Sequence, residues 1–212
     1  MLYHLFYEQL FQYFSPFRVF GYITFRTAFA SMTALGLGLI LGPWLIRKLR
    51  DFQIGQFIRE DGPESHHEKA GTPTMGGLLI TVSIVLPTLL WANLTNVYVW
   101  IALFGLVGFG GIGFLDDYTK IRRGQNLGLT VGRKILLQVL VTLAIGSSLI
   151  WLFSRGDYDA RLVLPFAKNL RPNLVIEPLL DNPYTFPFAF VLFFVFLFLV
   201  LVGCSNAVNL TD

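Results

Sequence analysis

Two adjacent carboxylates, Asp116 and Asp117, close a long uncharged run and are followed at once by Lys120, Arg122 and Arg123. Carboxylates are ligands for hard cations, and Mg²⁺ in particular takes oxygen donors and bridges to substrate phosphates. If the apolar helix ahead of them ends near Leu115, both acids oppose its dipole at a cost of about 0.3–1 kcal/mol each. A compensating cation is then required, supplied either by Lys120, Arg122 and Arg123 or by a bound divalent metal. Adjacent helical residues point about 100° apart, so Asp116 and Asp117 are not expected to do the same job.

Two further polar clusters carry candidate chemistry. "DGPESHHEKAGTPTMGG", residues 61 to 77, combines acids, two histidines, a lysine and four glycines. Gly71, Gly76 and Gly77 with Pro73 permit tight backbone and close ligand approach, amides opening a following helix favour an anion, and Lys69 adds a point charge suited to phosphate. The alternative is a solvated loop. His66 and His67 lack a third ligand at useful spacing, so hydrogen bonding fits them better than a metal. In "SNAVNLTD", residues 205 to 212, Asn206 and Asn209 share a helix face and Asp212 follows three residues on. Amides at the end of a membrane helix are costly unless satisfied, so they bind neighbouring helices or face a polar site. The N-x-T pattern at Asn93 and Asn209 formally matches a glycosylation acceptor, but both lie at span ends.

The elements that must position these clusters are membrane helices. Of 212 residues, 54% are hydrophobic and 14% charged, with a mean hydropathy of +0.62, against about 25% charged in a soluble domain. Spanning takes roughly 20 apolar residues. Splitting the uncharged Ala70–Leu115 stretch at the interfacial turn "WANLTN" gives five spans, about 22–46, 76–93, 97–115, 134–154 and 185–204. Pro87 falls inside the second, which membrane helices tolerate. The fold class expected is an all-α polytopic membrane protein forming one integral membrane domain over 1–212. The aromatic N-terminal "LYHLFYEQLFQYF" suits a helix at the interface rather than a secretory signal. Cys204 has no partner for an intrachain disulfide, and its apolar neighbours suggest a packed thiol.

Basic residues set the orientation. Ten lie on one side: Arg47, Lys48, Arg50, Arg59, Lys69, Lys120, Arg122, Arg123 and Arg133 in the loops 47–75 and 116–133, and Lys134 at the edge of the second. Five (Arg18, Arg155, Arg161, Lys168, Arg171) fall on the other, and Arg26 lies inside the first span. The excess marks the first side as cytoplasmic and the N-terminus as external. The net charge of +3 reflects this asymmetry and gives no reason to invoke nucleic acid. In the outer segment 155–184, "ARLVLPF" and "NLVIEPL" read as two strands of a small periplasmic hairpin. The three polar clusters thus meet on the cytoplasmic side, an inventory suited to a nucleotide-linked phosphate handled at the membrane surface. A transporter or channel subunit would place charges near mid-span, whereas here only Arg26 lies inside a span and the acids sit at cytoplasmic ends; a purely structural scaffold leaves the glycine-rich loop and the acid pair unexplained.

"GPESHHEKAGTPTMGG", "GFLDDYTK" and "NAVNLTD", in this order, resemble the motifs of the polyprenyl-phosphate N-acetylhexosamine-1-phosphate transferases. "GTPTMGG" resembles the muramoyl-pentapeptide branch rather than the sister branch that transfers N-acetylglucosamine phosphate, and the similarity runs along essentially the whole chain. The resemblance implies transfer of phospho-MurNAc-pentapeptide from its UDP carrier to undecaprenyl phosphate, giving lipid I and UMP, in the bacterial cytoplasmic membrane. It implies a Mg²⁺ cofactor and a homodimer. It assigns Lys69, Asp116 and Asp117 to catalysis, His66, Thr74, Asn206, Asn209 and Asp212 to substrate binding, and Asp116, Asp117 and Asp212 to the metal. The family has about ten membrane helices, each hydrogen-bonded within itself as a span must be, whereas this chain stops at Asp212 after five expected spans. It therefore reads as the N-terminal half of a longer enzyme, expected to be inactive alone.

Overall fold

The computed structural model describes residues 1–51, 76–123, 128–167 and 169–211. Among them the regular elements are helical: α1 (Ile23–Asp51), α2 (Gly76–Trp91), α3 (Val97–Arg123), α4 (Val131–Ser154), α5 (Val191–Phe198) and α6 (Cys204–Thr211). A π-helical turn, Leu199–Gly203, joins α5 to α6. Four stretches, Ile23–Leu49, Val97–Arg123, Val131–Ser154 and Phe186–Asn209, are long and apolar enough to cross a bilayer, and α2 is an apolar helix of 16 residues. The chain is an all-α multi-pass membrane protein. They group into two compact units, Met1–Lys134 and Ile135–Asp212.

In the first unit, α1 and α2 approach through small residues. Gly38 and Gly42 face Ser83 and Leu79 of α2, as expected where van der Waals packing rather than the hydrophobic effect drives association. The Trp91 indole N–H donates to Thr33 Oγ1 at 3.0 Å, a partner that an indole in apolar surroundings requires. Pro87 is buried in α2 and withholds the N–H that would otherwise reach the Ser83 carbonyl. Apolar α1 side chains such as Leu35, Leu39 and Ile40 are exposed, the normal state of a lipid-facing surface. The N-terminal stretch folds as a π-helix, His4–Leu10, and a 3-10 helix, Ser15–Gly21. Its Phe6, Phe17 and Phe20 rings pack together, and Phe20 lies parallel to Trp91 at 5.9 Å. The "WANLTN" stretch is the turn expected: Asn93 Oδ1 accepts from the Thr95 N–H at 3.0 Å and from its hydroxyl at 2.7 Å.

In the second unit, a core of Ala160, Val175, Ala189, Phe190 and Phe193 is covered by Leu149, Ile150 and Phe153 of α4. Gly146 lets α4 meet the chain at Phe194 and Leu197.

Three expectations are corrected. α3 does not end near Leu115 but continues to Arg123, because a charge marks the edge of the bilayer and not the end of a helix. The two-stranded hairpin reduces to one antiparallel bridge, Arg161↔Asn173, with the Leu162 N–H donating to Pro172 O at 2.9 Å. Pro165 and Pro172 cannot donate to a ladder, and Glu177–Leu179 turns into a 3-10 helix instead. Cys204 is exposed rather than packed; in a lipid-facing helix apolar sequence neighbours face lipid and do not imply a protein partner.

A Cβ at Gly146 would collide with the Phe194 ring. Gly146→Val is therefore expected to destabilise the protein by about 1–3 kcal/mol. Gly36, in helix α1 with open space around it, is expected to accept Ala neutrally or with a gain of up to about 1 kcal/mol. Thermal unfolding in detergent distinguishes the two.

Candidate functional site

The extension of α3 changes the setting of the acid pair. Asp116 and Asp117 stand about two turns inside the helix, and the last turn carries Lys120, Arg122 and Arg123. Cations there are favourable to the helix dipole, so the basic cluster stabilises the continuation that carries the acids beyond the apolar run. Lys120 compensates both acids at once. Its Nζ lies 2.8 Å from Asp116 Oδ2 and 3.1 Å from Asp117 Oδ1, the i+4 and i+3 spacings at which helical side chains meet.

The two acids then diverge, as their angular separation requires. Asp116 is the more enclosed, with 13% of its side chain exposed against 29% for Asp117. Its Oδ1 accepts the Leu129 backbone N–H at 2.8 Å. The chain passes so close at Gly128 that a Cβ there would strike the Asp116 carboxylate; glycine is required by that approach. Asp116 thus ties α3 to the segment that leads into α4. Asp117 makes no such bond, and Lys120 is its partner among the described residues.

Asp117 instead closes one end of a groove of about 490 Å³ between α2 and α3. Its walls are mostly apolar, with Leu78, Val107 and Phe114 beside Gly110 and Gly113, and Thr81 among them. The Thr81 hydroxyl donates to Gly77 O at 2.9 Å, which satisfies it within its own helix. A Cβ at Gly110 would lie 3.0 Å from Thr81 Oγ1, so glycine sets the spacing of the two helices beneath the acid. Asp117 thus sets one carboxylate at the mouth of an apolar groove, an oxygen donor of the kind hard cations take, while Lys120 beside it balances its charge and is not itself a ligand.

In the second unit, the Asn206 side-chain N–H donates to Gln138 Oε1 at 2.8 Å and to Val202 O at 2.9 Å. Gln138 is 1% exposed, and its backbone carbonyl also accepts the Thr142 hydroxyl. Sequence reasoning missed Gln138; a lone amide in an otherwise apolar span was the available signal. It also missed Gly128 and the Leu129 N–H, for which a single sequence carries no signal. Asn209 is exposed on α6. His66, Lys69, Thr74 and Asp212 lie outside the described residues, and no group of three His, Cys, Asp or Glu able to hold a metal occurs among the described ones.

Apolar spanning helices that bring a cation-compensated acid pair to a groove mouth define a class, multi-pass membrane proteins with a polar site at one end of the helices. Residues 69–80 match a family model described as phospho-N-acetylmuramoyl-pentapeptide-transferase signature 1. The whole chain aligns with curated proteins named phospho-N-acetylmuramoyl-pentapeptide-transferase. It is 57% identical to that of Solibacter usitatus, 54% to that of Koribacter versatilis and 55% to that of Acidobacterium capsulatum. By these matches the chain is similar over its whole length to phospho-N-acetylmuramoyl-pentapeptide-transferases. All of the chain is covered in each case, but 56% of each relative. The chain spans about half the length of the curated relatives it matches, the relation expected of a portion of a longer enzyme.

The divergence of the acids has a stability consequence. Asp116→Ala removes both the Lys120 pair and the acceptor for Leu129 N–H, and is expected to cost about 1–3 kcal/mol. Asp117→Ala gives up one half-exposed contact, and a loss under about 1 kcal/mol is expected. Thermal unfolding of the two variants side by side checks the order; equal losses would show that the acids are interchangeable structurally.

Proposed function

We propose that the chain supplies the Asp117 site of an enzyme that transfers phospho-MurNAc-pentapeptide from its UDP carrier to undecaprenyl phosphate, releasing UMP. The observation that carries this reading is the position of Asp117, where a polar, cation-compensated site meets a groove between two membrane helices. A soluble nucleotide donor approaches such a mouth from the aqueous side and a lipid acceptor from the bilayer. The excess of basic residues in loops 47–75 and 116–133 supports a cytoplasmic mouth. The names of the relatives support the transferred group. The enzyme acts in the bacterial cytoplasmic membrane, as a homodimer by its family resemblance.

In the reaction, an oxygen of the lipid phosphate bonds to the sugar-side phosphorus of the donor pyrophosphate, and the bond from that phosphorus to UMP breaks. A phosphate monoester has a second pKa near 6, so the acceptor is already mostly dianionic at neutral pH and needs no strong base. Asp117 therefore acts by positioning and electrostatics rather than by taking a proton. Lys120 limits the repulsion between this carboxylate and the incoming phosphates. Lys69 and Thr74 bind the donor pyrophosphate, with His66 hydrogen-bonding nearby. Asn206, Asn209 and Asp212 complete the nucleotide side. Asp117, with Asp116 and Asp212, would hold Mg²⁺, which neutralises charge developing on the leaving group. Asp116 contributes chiefly by fixing the helix that presents Asp117. A covalent route through an aspartyl phosphate would instead require a phosphorylated Asp117 to accumulate when acceptor is withheld.

The test follows UMP release by the full-length parent chain with undecaprenyl phosphate, with and without Mg²⁺. Release from UDP-MurNAc-pentapeptide but not from UDP-N-acetylglucosamine is expected, falling by at least about 100-fold in Asp117→Asn. Release from the second donor would move the protein to the sister branch, and release without Mg²⁺ would remove the metal from the account.

A further inference from the structure

The first unit has a second pocket, far from Asp117. It has a volume of about 300 Å³ and lies where α1 begins, α2 ends and α3 begins. Arg26, Trp91, Thr88, Asn93 and Asn96 are among its lining residues. From Val99 at this pocket to Asp117, α3 advances by 18 residues, or about 27 Å at 1.5 Å per residue. That nearly equals the hydrocarbon thickness of a bilayer. The two pockets therefore sit at opposite headgroup layers.

The chemistry of this pocket is cationic. Arg26 projects from the first turn of α1, and its guanidinium lies over the Tyr3 ring at 4.3 Å. Its Nε is buried and has no hydrogen-bond partner among the described residues, an omission that costs free energy unless a ligand supplies the acceptor. The Met1 ammonium is at the same end, donating to Leu89 O at 2.9 Å. Residues 1–49 hold a single acid, Glu8, and residues 76–115 hold none; Glu8 is paired with His4 at 2.8 Å. Asn93 and Asn96 have their side-chain oxygens engaged by the Thr95 and Tyr98 backbone N–H groups, so what these amides add to the pocket is donors. Donors and a half-buried guanidinium with an unpartnered Nε, beside a tryptophan at the interface, match a phosphate carrying an acyl tail.

We propose that this pocket binds the phosphate of an anionic phospholipid from the leaflet opposite the Asp117 site, with Arg26 as the principal contact. The lipid holds the starts of α1 and α3 and the end of α2 together at a point where the first unit provides a cation, Arg26, and where its Glu8 is already paired with His4. The site is independent of the transfer reaction and stands whether or not that reading survives.

The experiment reconstitutes the full-length parent chain in nanodiscs of phosphatidylcholine with a minor fraction of phosphatidylglycerol, and counts retained lipids by native mass spectrometry. Wild type is expected to retain phosphatidylglycerol selectively, and Arg26→Gln to weaken that retention about tenfold, the scale of a lost charge-assisted phosphate contact. Arg26→Lys is expected to restore it in part, and Arg18→Gln, an exposed cation outside the pocket lining, to leave it unchanged. If Arg26→Gln does not fold, Asn96→Leu is read instead, with the same direction expected. Selective retention unaffected by the pocket variants would overturn the proposal, as would no preference for phosphatidylglycerol in wild type. Displacement of the lipid by millimolar inorganic phosphate would also overturn it, because the pocket would then be a site for free phosphate.

Discussion

One lysine makes the site possible. A membrane helix tolerates a carboxylate poorly and two adjacent carboxylates worse, because charge leaving water must be matched by charge. Lys120, within 3.1 Å of both acids, matches them from a single position one turn further along the same helix. Both partners and the cation are thus fixed by α3 itself, without help from a distant element. That local solution lets α3 run past the apolar segment to Arg123 and carries the acids to a level where water and lipid meet.

Once Lys120 has balanced the pair, geometry separates their duties. The carboxylate that turns toward the following loop becomes a backbone acceptor for Leu129, and Gly128 is the residue that permits this approach. The other carboxylate turns toward α2 and a groove whose width is set by Gly110 against Thr81. An anchored acid fixes the rotation of the helix, and the rotation aims the second acid. The second unit repeats the same logic without charge: Gln138 is buried inside α4 and turns Asn206 away from lipid. In both units a polar group is spent on holding another polar group in place, which is what a rigid site needs.

The architecture was largely legible because composition and span length depend on the bilayer and not on the fold. Uncharged runs located α1 to α5, and "WANLTN" located the turn between α2 and α3. Asp116 and Asp117, which the angular argument set apart, differ in their hydrogen-bond partners. What the sequence hid has physical causes. The end of α3 was misplaced because helix propagation continues through Asp116–Arg123 on local ion pairs, beyond the point where hydropathy falls. The outer hairpin was misread because alternation suggested strands while Pro165 and Pro172 denied them a ladder. The π-turn at Leu199–Gly203 leaves no mark in a uniformly apolar run. Contacts across many residues, such as Gln138 with Asn206 and Leu129 with Asp116, depend on packing that no spacing reports. His66, Lys69, Thr74 and Asp212, which the family resemblance places at the site, lie outside the described residues.

The central claim is that Asp116 holds the helix and Asp117 meets the substrates. The most direct measurement places a thiol at each position in turn, Asp116→Cys and Asp117→Cys, in a full-length Cys204→Ser background. The rate of modification by a small water-soluble thiosulfonate is then followed with and without UDP-MurNAc-pentapeptide. The account predicts fast labelling at position 117 that the donor suppresses, and labelling at position 116 slower by about tenfold or more, as expected for a more enclosed thiol that the reagent reaches less readily, and less suppressed by donor. Equal labelling of both positions, or donor protection confined to position 116, would contradict it.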